Sequence, residues 1–212
     1  MNTHYDENYF NWQHDIGFFG GWANLVKFEE FITEDMNVID FGCGGGFLLK
    51  NIRCKNKIGI EINDVARESA SKRGIQSFKY VAEAPDDWAD IIISNNALEH
   101  VNEPLSQLVA LRPKLKKGGR IIFVVPCDSI KYEYVPNDVN YHLFSWSPMN
   151  LGNLFTEAGY KVIESKSFIH KWPPYYHTIA VRLGKRLFNL ACRIYGHIET
   201  SWYQVRVVAE KV

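Results

Sequence analysis

A chain of 212 residues, 46% apolar and 23% charged, is long enough to bury a core and a ligand cleft. Lys plus Arg and Asp plus Glu balance at 24 each, so no global field selects nucleic acid, and the chain carries no recognition module for it. Cys43, Cys54, Cys127 and Cys192 are dispersed, with neither a C-x-x-C pair nor histidine at metal-ligand spacing, which reads as reduced thiols in a cytoplasmic protein. The polar, acidic start predicts no signal peptide, and no apolar run reaches the length of a transmembrane span.

Residues 1–35 hold seven acids against a lone base, Lys27, and are rich in aromatics: Tyr5, Tyr9, Phe10, Trp12, Phe18, Phe19 and Trp22. Leu25, Phe28 and Ile32 share a side at helical spacing, so Asn24–Ile32 reads as a helix, preceded by a turn or close packing at Gly20-Gly21. Val38 and Ile39 begin a buried strand that stops at Asp40. Gly42, Gly44, Gly45 and Gly46 then allow a tight turn and close backbone approach to a ligand. Phe47–Leu49 starts a helix, and Lys57–Glu61 is a second strand ending in a carboxylate. This β-loop-α-β unit places a ligand crevice at the strand ends.

Asp64–Arg73 follows as a helix with Val65, Ala66, Ser69 and Ala70 facing in and Gly74 as its C-cap. Ser77–Val81 is the third strand. Ala89–Ser94 is a nearly unbroken apolar run of the kind buried on both faces of a parallel sheet. Asn102 is placed to cap a helix whose inward residues are Leu105, Leu108, Val109 and Leu111. Pro113 and Gly118-Gly119 break the chain before a fifth strand, Arg120–Val125. Periodicity then disappears over residues 126–146, a loop containing Asp128, Tyr132, Tyr141 and His142. Pro148–Ala158 is helical, and Lys161–Phe168 is a sixth strand with Val162 and Ile163 as its core positions. Trp172-Pro173-Pro174 interrupts regular structure. Ile179, Leu183, Leu187, Leu190 and Ile194 form a stripe at helical spacing, read chiefly as core packing, with Arg182, Lys185, Arg186 and Arg193 off it. Strands alternating with helices indicate a parallel α/β sheet.

The glycine loop separates two nucleotide-binding alternatives. Phe47 stands where a dinucleotide fingerprint wants its third glycine, and no Lys-Ser/Thr pair follows to make a P-loop. The remaining pattern, strand-Asp40-x-Gly42-x-Gly44-x-Gly46, with Glu61, the NNALEHV stretch and LRPKLKKGGRIIF, resembles the class I S-adenosylmethionine-dependent methyltransferases over residues 36–168. The resemblance implies a Rossmann-like, seven-stranded, mostly parallel sheet with helices on both faces and an antiparallel last strand, here Trp202–Val208. It also implies a single domain: an N-terminal helical cap or lid (1–35), a cofactor-binding core (36–168) and an inserted helical segment (169–200).

By the same resemblance, Asp40, Gly42, Cys43, Gly44 and Gly46 pass under the methionine and ribose portions of S-adenosylmethionine. Glu61, with Ile62 beside it, takes the ribose. A carboxylate suits that role because it accepts both hydroxyls in charge-assisted hydrogen bonds. Ala82 and Glu83 fall at the adenine, Asn95 at the methionyl end, and Trp12 and Gln13 reach the ligand from the N-terminal segment. His142, Tyr141 and His100 are the acceptor-side candidates. No metal is expected, because the protein chiefly supplies alignment and a dry cleft. The expected reaction is methyl transfer to a small-molecule or saccharide acceptor, O-methylation before N- or C-methylation, by a monomer or homodimer. The helix over residues 179–194 offers a weak contact to a membrane surface. The alternatives are a protein methyltransferase and a non-catalytic binding or scaffold module on the same fold.

Overall fold

The computed structural model describes residues 16–136 and 138–212. It contains one sheet in the order β3-β2-β1-β4-β5-β7-β6, the expected fold class. The strands are β1 (Asn37–Phe41), β2 (Asn56–Ile60), β3 (Gln76–Phe78), β4 (Ala89–Asn95), β5 (Leu115–Cys127), β6 (Lys161–Phe168) and β7 (Tyr203–Glu210). β1 to β5 pair in parallel, and β7 lies antiparallel between β5 and β6. The carboxyl ends of β1, β4 and β5 therefore share one edge of the sheet, where ligands bind in open α/β folds.

Alternation along the strands divides the core between two faces. Ile39 and Phe41 of β1, Ile92 of β4, and Ile121, Phe123 and Val125 of β5 pack with Leu108 and Leu111 of α4 (Pro104–Leu111) and with Leu151 and Phe155 of α5 (Pro148–Glu157). Val38, Ile91, Ile93, Ile122 and Val124 point the other way. They meet Leu48 and Leu49 of α2 (Phe47–Asn51) and Ala70 of α3 (Asp64–Lys72). A third cluster joins Ala23 of α1, helical over residues 16–23, to Phe188 and Cys192 of α6 (Tyr176–Ile198).

Several local expectations are corrected. The N-terminal helix occupies residues 16–23, and Asn24–Lys27 and Glu29–Phe31 are 3₁₀ turns. Gly20 and Gly21 lie inside that helix. A Cβ on Gly21 would stand 2.5 Å from the Phe47 carbonyl oxygen, so the glycine serves close packing. The third strand ends at Phe78, because Val81 turns into a 3₁₀ segment. Glu103, not Asn102, is the N-cap of α4, whose Pro104 takes the first helical position. Leu105 and Val109 face solvent, as does Ile163 on β6. β5 starts at Leu115, ahead of the glycines, since the left-handed Gly118 is absorbed as an irregularity in its pairing with β4. β7 runs two residues further than expected, to Glu210.

The largest correction concerns α6, which kinks at Gly184 (φ 73, ψ 175). Its buried residues are Phe188, Cys192 and Gly196, whereas Leu183, Leu187, Leu190 and Ile194 are each more than half exposed. Apart from Ile179, which packs against the Ala23, Phe188 and Cys192 cluster as expected, the aliphatic stripe is thus the outer face, and a second, aromatic and small-residue face meets α1. Among the described residues no helix is long and apolar enough to cross a membrane.

Candidate active site

The loop between β1 and α2 is shaped by three left-handed glycines: Gly42 (φ 74), Gly44 (φ 52) and Gly46 (φ 75). They differ in what surrounds them. A Cβ on Gly42 would fall 2.3 Å from that of Ala97, and one on Gly46 would press on Ala70 and Ile75, so both positions are closed by the protein. A Cβ on Gly44 would meet nothing within 4 Å, so this glycine faces open space. Gly42 and Cys43 donate their N–H groups to the Ile60 carbonyl at 2.8 and 3.2 Å, which seats the loop over the end of β2. The Cys43 side chain is buried in the core, where a Cβ on Gly59 would stand 2.3 Å from its sulfur.

Glu61 follows β2 directly. Its Oε2 accepts from Gly44 N at 2.9 Å and its Oε1 from Asn63 N at 2.9 Å, so one carboxylate ties the glycine loop to the start of α3. Asn63 caps that helix by accepting from Val65 and Ala66. Each carboxylate oxygen keeps a second lone pair for a ligand hydroxyl. Burial raises the Glu61 carboxyl above its ordinary range against the pull of these N–H donors. Asp40, at the end of β1, is raised well above its range by burial and then by the Glu61 charge. The free lone pairs of the Glu61 carboxylate suit a ligand that offers hydroxyls.

At the end of β4, Asn95 accepts a 2.7 Å hydrogen bond from the buried Lys27 ammonium, which arrives from the 3₁₀ turn after α1. Burial lowers the Lys27 pKa to about 7, opposed by the charge of Glu99. Glu99 and His100 sit in the 3₁₀ turn Leu98–His100, and Leu143 and Phe144 donate their N–H groups to the Glu99 carbonyl at 2.9 and 3.2 Å. These two bonds dock the loop after β5 onto the end of β4. His142 then lies with its ring centroid 5.1 Å from that of His100, and its Nδ1 is 3.1 Å from Asp128 Oδ2. Burial would lower the His142 pKa, but the Asp128 hydrogen bond and the Glu99 charge raise it on balance. Glu99 is fully buried, and burial pushes its carboxyl up to about 8.

A family model described as a methyltransferase domain matches residues 13–165. The chain belongs to the methyltransferase family. Its fold is that of solved S-adenosylmethionine-dependent methyltransferases. An uncharacterised protein of Methanocaldococcus jannaschii is 33% identical over 146 residues, 68% of this chain and 62% of that protein. A ubiquinone biosynthesis O-methyltransferase of Colwellia psychrerythraea is 30% identical over 164 residues, 66% of each chain. The methyltransferase thus spans about half to two thirds of the length of the curated relatives it matches. A solved S-adenosylmethionine-dependent methyltransferase from Thermotoga maritima shares the fold at TM-score 0.69, covering 99% of this chain and 98% of its own, at 19% identity.

The open side of Gly44 and the half-buried Glu61 fit the cofactor this family uses. Ile62, directly after Glu61, and Ala82 are exposed, and Glu83 accepts with one carboxylate oxygen from the Lys79 and Tyr80 N–H groups at 2.9 and 3.3 Å, a local cap. Tyr141 is left-handed (φ 50) and exposed beside His142. Trp12 and Gln13 lie outside the described residues. Sequence reasoning missed Lys27 and Glu99. The signals were present: Lys27 is the lone base in an acidic N-terminal segment, and Glu99 is charged between Leu98 and Val101 beside the singled-out His100.

Proposed function

We propose that this methyltransferase transfers a methyl group to a hydroxyl of a small-molecule or saccharide acceptor. The observation that carries the reading is the cluster of Glu99, His100 and His142 with Asp128, on the strand-end edge that also carries the glycine loop. S-adenosylmethionine supplies an electrophilic methyl group on a sulfonium. Gly42–Gly46 and Glu61 would hold its ribose and amino-acid portions, with Asp40 beneath the loop and Asn95, fixed by Lys27, at the methionyl end. An uncharged amine can attack without assistance, whereas a hydroxyl must lose its proton, so a cluster of imidazoles and carboxylates favours an oxygen acceptor. An open concavity of about 680 Å³, lined by Lys131 and Tyr132 of the loop and by Tyr195 and Ile198 of α6, offers room for the body of the acceptor. The kinship with an O-methyltransferase supports the same choice.

Calorimetry with S-adenosylhomocysteine, followed by turnover on matched hydroxyl and amino acceptors, tests this. Glu61→Gln keeps an acceptor oxygen for the loop but removes the charge, and is expected to weaken the cofactor product by about 2 kcal/mol. His142→Ala is expected to keep that affinity and lose turnover on hydroxyl acceptors. Undiminished turnover in His142→Ala, or activity on amines alone, would reject the oxygen reading.

A second reading concerns location. The exposed Leu183, Leu187, Leu190 and Ile194, with Arg182, Arg186 and Arg193 on the same helix, favour contact of α6 with an anionic lipid surface. Co-sedimentation with phosphatidylglycerol vesicles that Leu187→Glu does not reduce would dismiss it.

A further inference from the structure

The polar cluster beyond β4 and β5 has a composition that deprotonation alone does not require. Glu99 is fully buried, and neither of its carboxylate oxygens has a hydrogen-bond partner. A buried carboxylate without donors is costly, and such groups call for a physical reason. Its Oε1 stands 3.8 Å from Nε2 of His100, and one ligand atom each from Glu99, His100 and His142 all lie within 4.8 Å of one another. The three residues come from two chain segments that the Leu143 and Phe144 hydrogen bonds to Glu99 hold together.

We propose that Glu99, His100 and His142 bind a divalent transition-metal ion, zinc or manganese rather than calcium, at the acceptor end of the cleft. Two imidazoles and one carboxylate are a donor set suited to such ions, whereas calcium prefers six or more oxygens. Donors about 2.1 Å from a common ion lie roughly 3–3.5 Å apart, so movements under about 1 Å convert the present spacing into a coordination shell. Binding the ion would displace the Glu99 proton and give its oxygens the partner that the fold leaves out. Asp128 holds Nδ1 of His142 at 3.1 Å, which turns Nε2 toward the ion and fixes the tautomer, the usual outer support of a metal-bound histidine. Three protein ligands leave coordination positions for an acceptor oxygen. Resting on the hydroxyl-acceptor reading, the ion then explains how the proton is lost: a coordinated hydroxyl is more acidic and releases its proton to solvent before attack.

The binding claim is tested without turnover. Cobalt(II) titrated into the metal-stripped wild-type chain should develop visible d–d absorption of a low-coordinate nitrogen–oxygen site, displaced stoichiometrically by zinc. Titrations of zinc and manganese should show a single site, weakened at least about tenfold by Glu99→Gln and by His142→Ala, and about tenfold by Asp128→Asn. Circular dichroism identifies any variant that fails to fold, and the cobalt spectrum of the wild type needs no variant. A cobalt spectrum no different from the hydrated ion, or affinity unchanged in folded Glu99→Gln and His142→Ala, overturns the site. A bound ion with chelator-insensitive methylation of hydroxyl acceptors keeps the site and removes its role in deprotonation. A bound ion in a chain that takes no S-adenosylhomocysteine would instead overturn the cofactor crevice.

Discussion

Gly42 and Gly44 have similar left-handed backbones but opposite surroundings, and the contrast separates folding from binding at single residues. Gly42→Ala drives a methyl into Ala97, 2.3 Å away, and is expected to destabilise the fold by about 2 kcal/mol or more. Gly44→Ala meets no atom within 4 Å and carries only the strain of its φ, about 1 kcal/mol. Its far-UV spectrum should match wild type while S-adenosylhomocysteine affinity falls, because the space it fills is where the ligand approaches. Wild-type affinity in Gly44→Ala would place the ligand elsewhere. Lys27 and Asn95 show the same principle from the other side. A lysine buried for its hydrogen bond to Asn95 gives up part of its charge, so it positions a neighbour rather than acting as a free cation.

Among the elements, α1 meets the start of α2 through Gly17 and Gly21, with no α1 side chain at those two positions. Gly21 of α1 lies against the Phe47 backbone, with prospective Cβ distances of 2.5 and 2.6 Å, and Gly17 lies against the Phe47 ring at 3.0 Å. Because Phe47 begins α2 directly after the glycine loop, the position of α1 bears on the cofactor crevice. Gly21→Val is expected to lower the melting temperature and the S-adenosylhomocysteine affinity together. Loss of stability with undiminished affinity would make α1 a cover of the sheet with no hold on the loop. α6 reaches the same layer through Phe188, which packs against Phe19 and Trp22 at centroid distances of 5.7 and 5.3 Å. An ion pair between Lys185 and Glu29 adds a polar link.

The whole molecule is closed by long-range contacts between its ends. Arg206 on β7 pairs with Glu30 at 2.7 Å and Glu164 at 3.4 Å, and its guanidinium lies 5.0 Å from the ring centroids of both Phe31 and Phe168. His170, between β6 and α6, is buried, and its Nε2 is 3.0 Å from Asn189 Oδ1. Burial lowers its pKa from 6.5 to about 4, so the folded chain binds this proton less readily than the unfolded chain does. Its contribution is therefore complete above about pH 6.5 and is lost progressively as pH falls toward 4, up to about 3 kcal/mol. Denaturant unfolding of wild type and His170→Gln across this range measures it. The difference between the two stability curves should shrink as the medium acidifies, and a constant difference would show that His170 does not titrate on unfolding.

The amino-acid sequence by itself determined the features that depend on local backbone chemistry. The glycine run, the acidic end of β2, the buried β4 and the close of α3 at Gly74 were all legible, because φ, strand burial and helix ends are decided within a few residues. The class of fold followed from the order of those elements. What needed the tertiary structure was the direction each side faces. The α6 stripe of Leu183, Leu187, Leu190 and Ile194 was correct as a period but assigned to the wrong side, because periodicity identifies an apolar face without saying what covers it. Phe188, Cys192 and Gly196 were the inner face because α1 and the segment before α6 offered a surface matching aromatic and small residues. The Glu99, His100 and His142 cluster was likewise invisible as a unit. His100 and His142 are 42 positions apart, and β4–β5 pairing together with the hydrogen bonds from Leu143 and Phe144 to the Glu99 carbonyl brings Glu99, His100, His142 and Asp128 to one place at the ends of neighbouring strands.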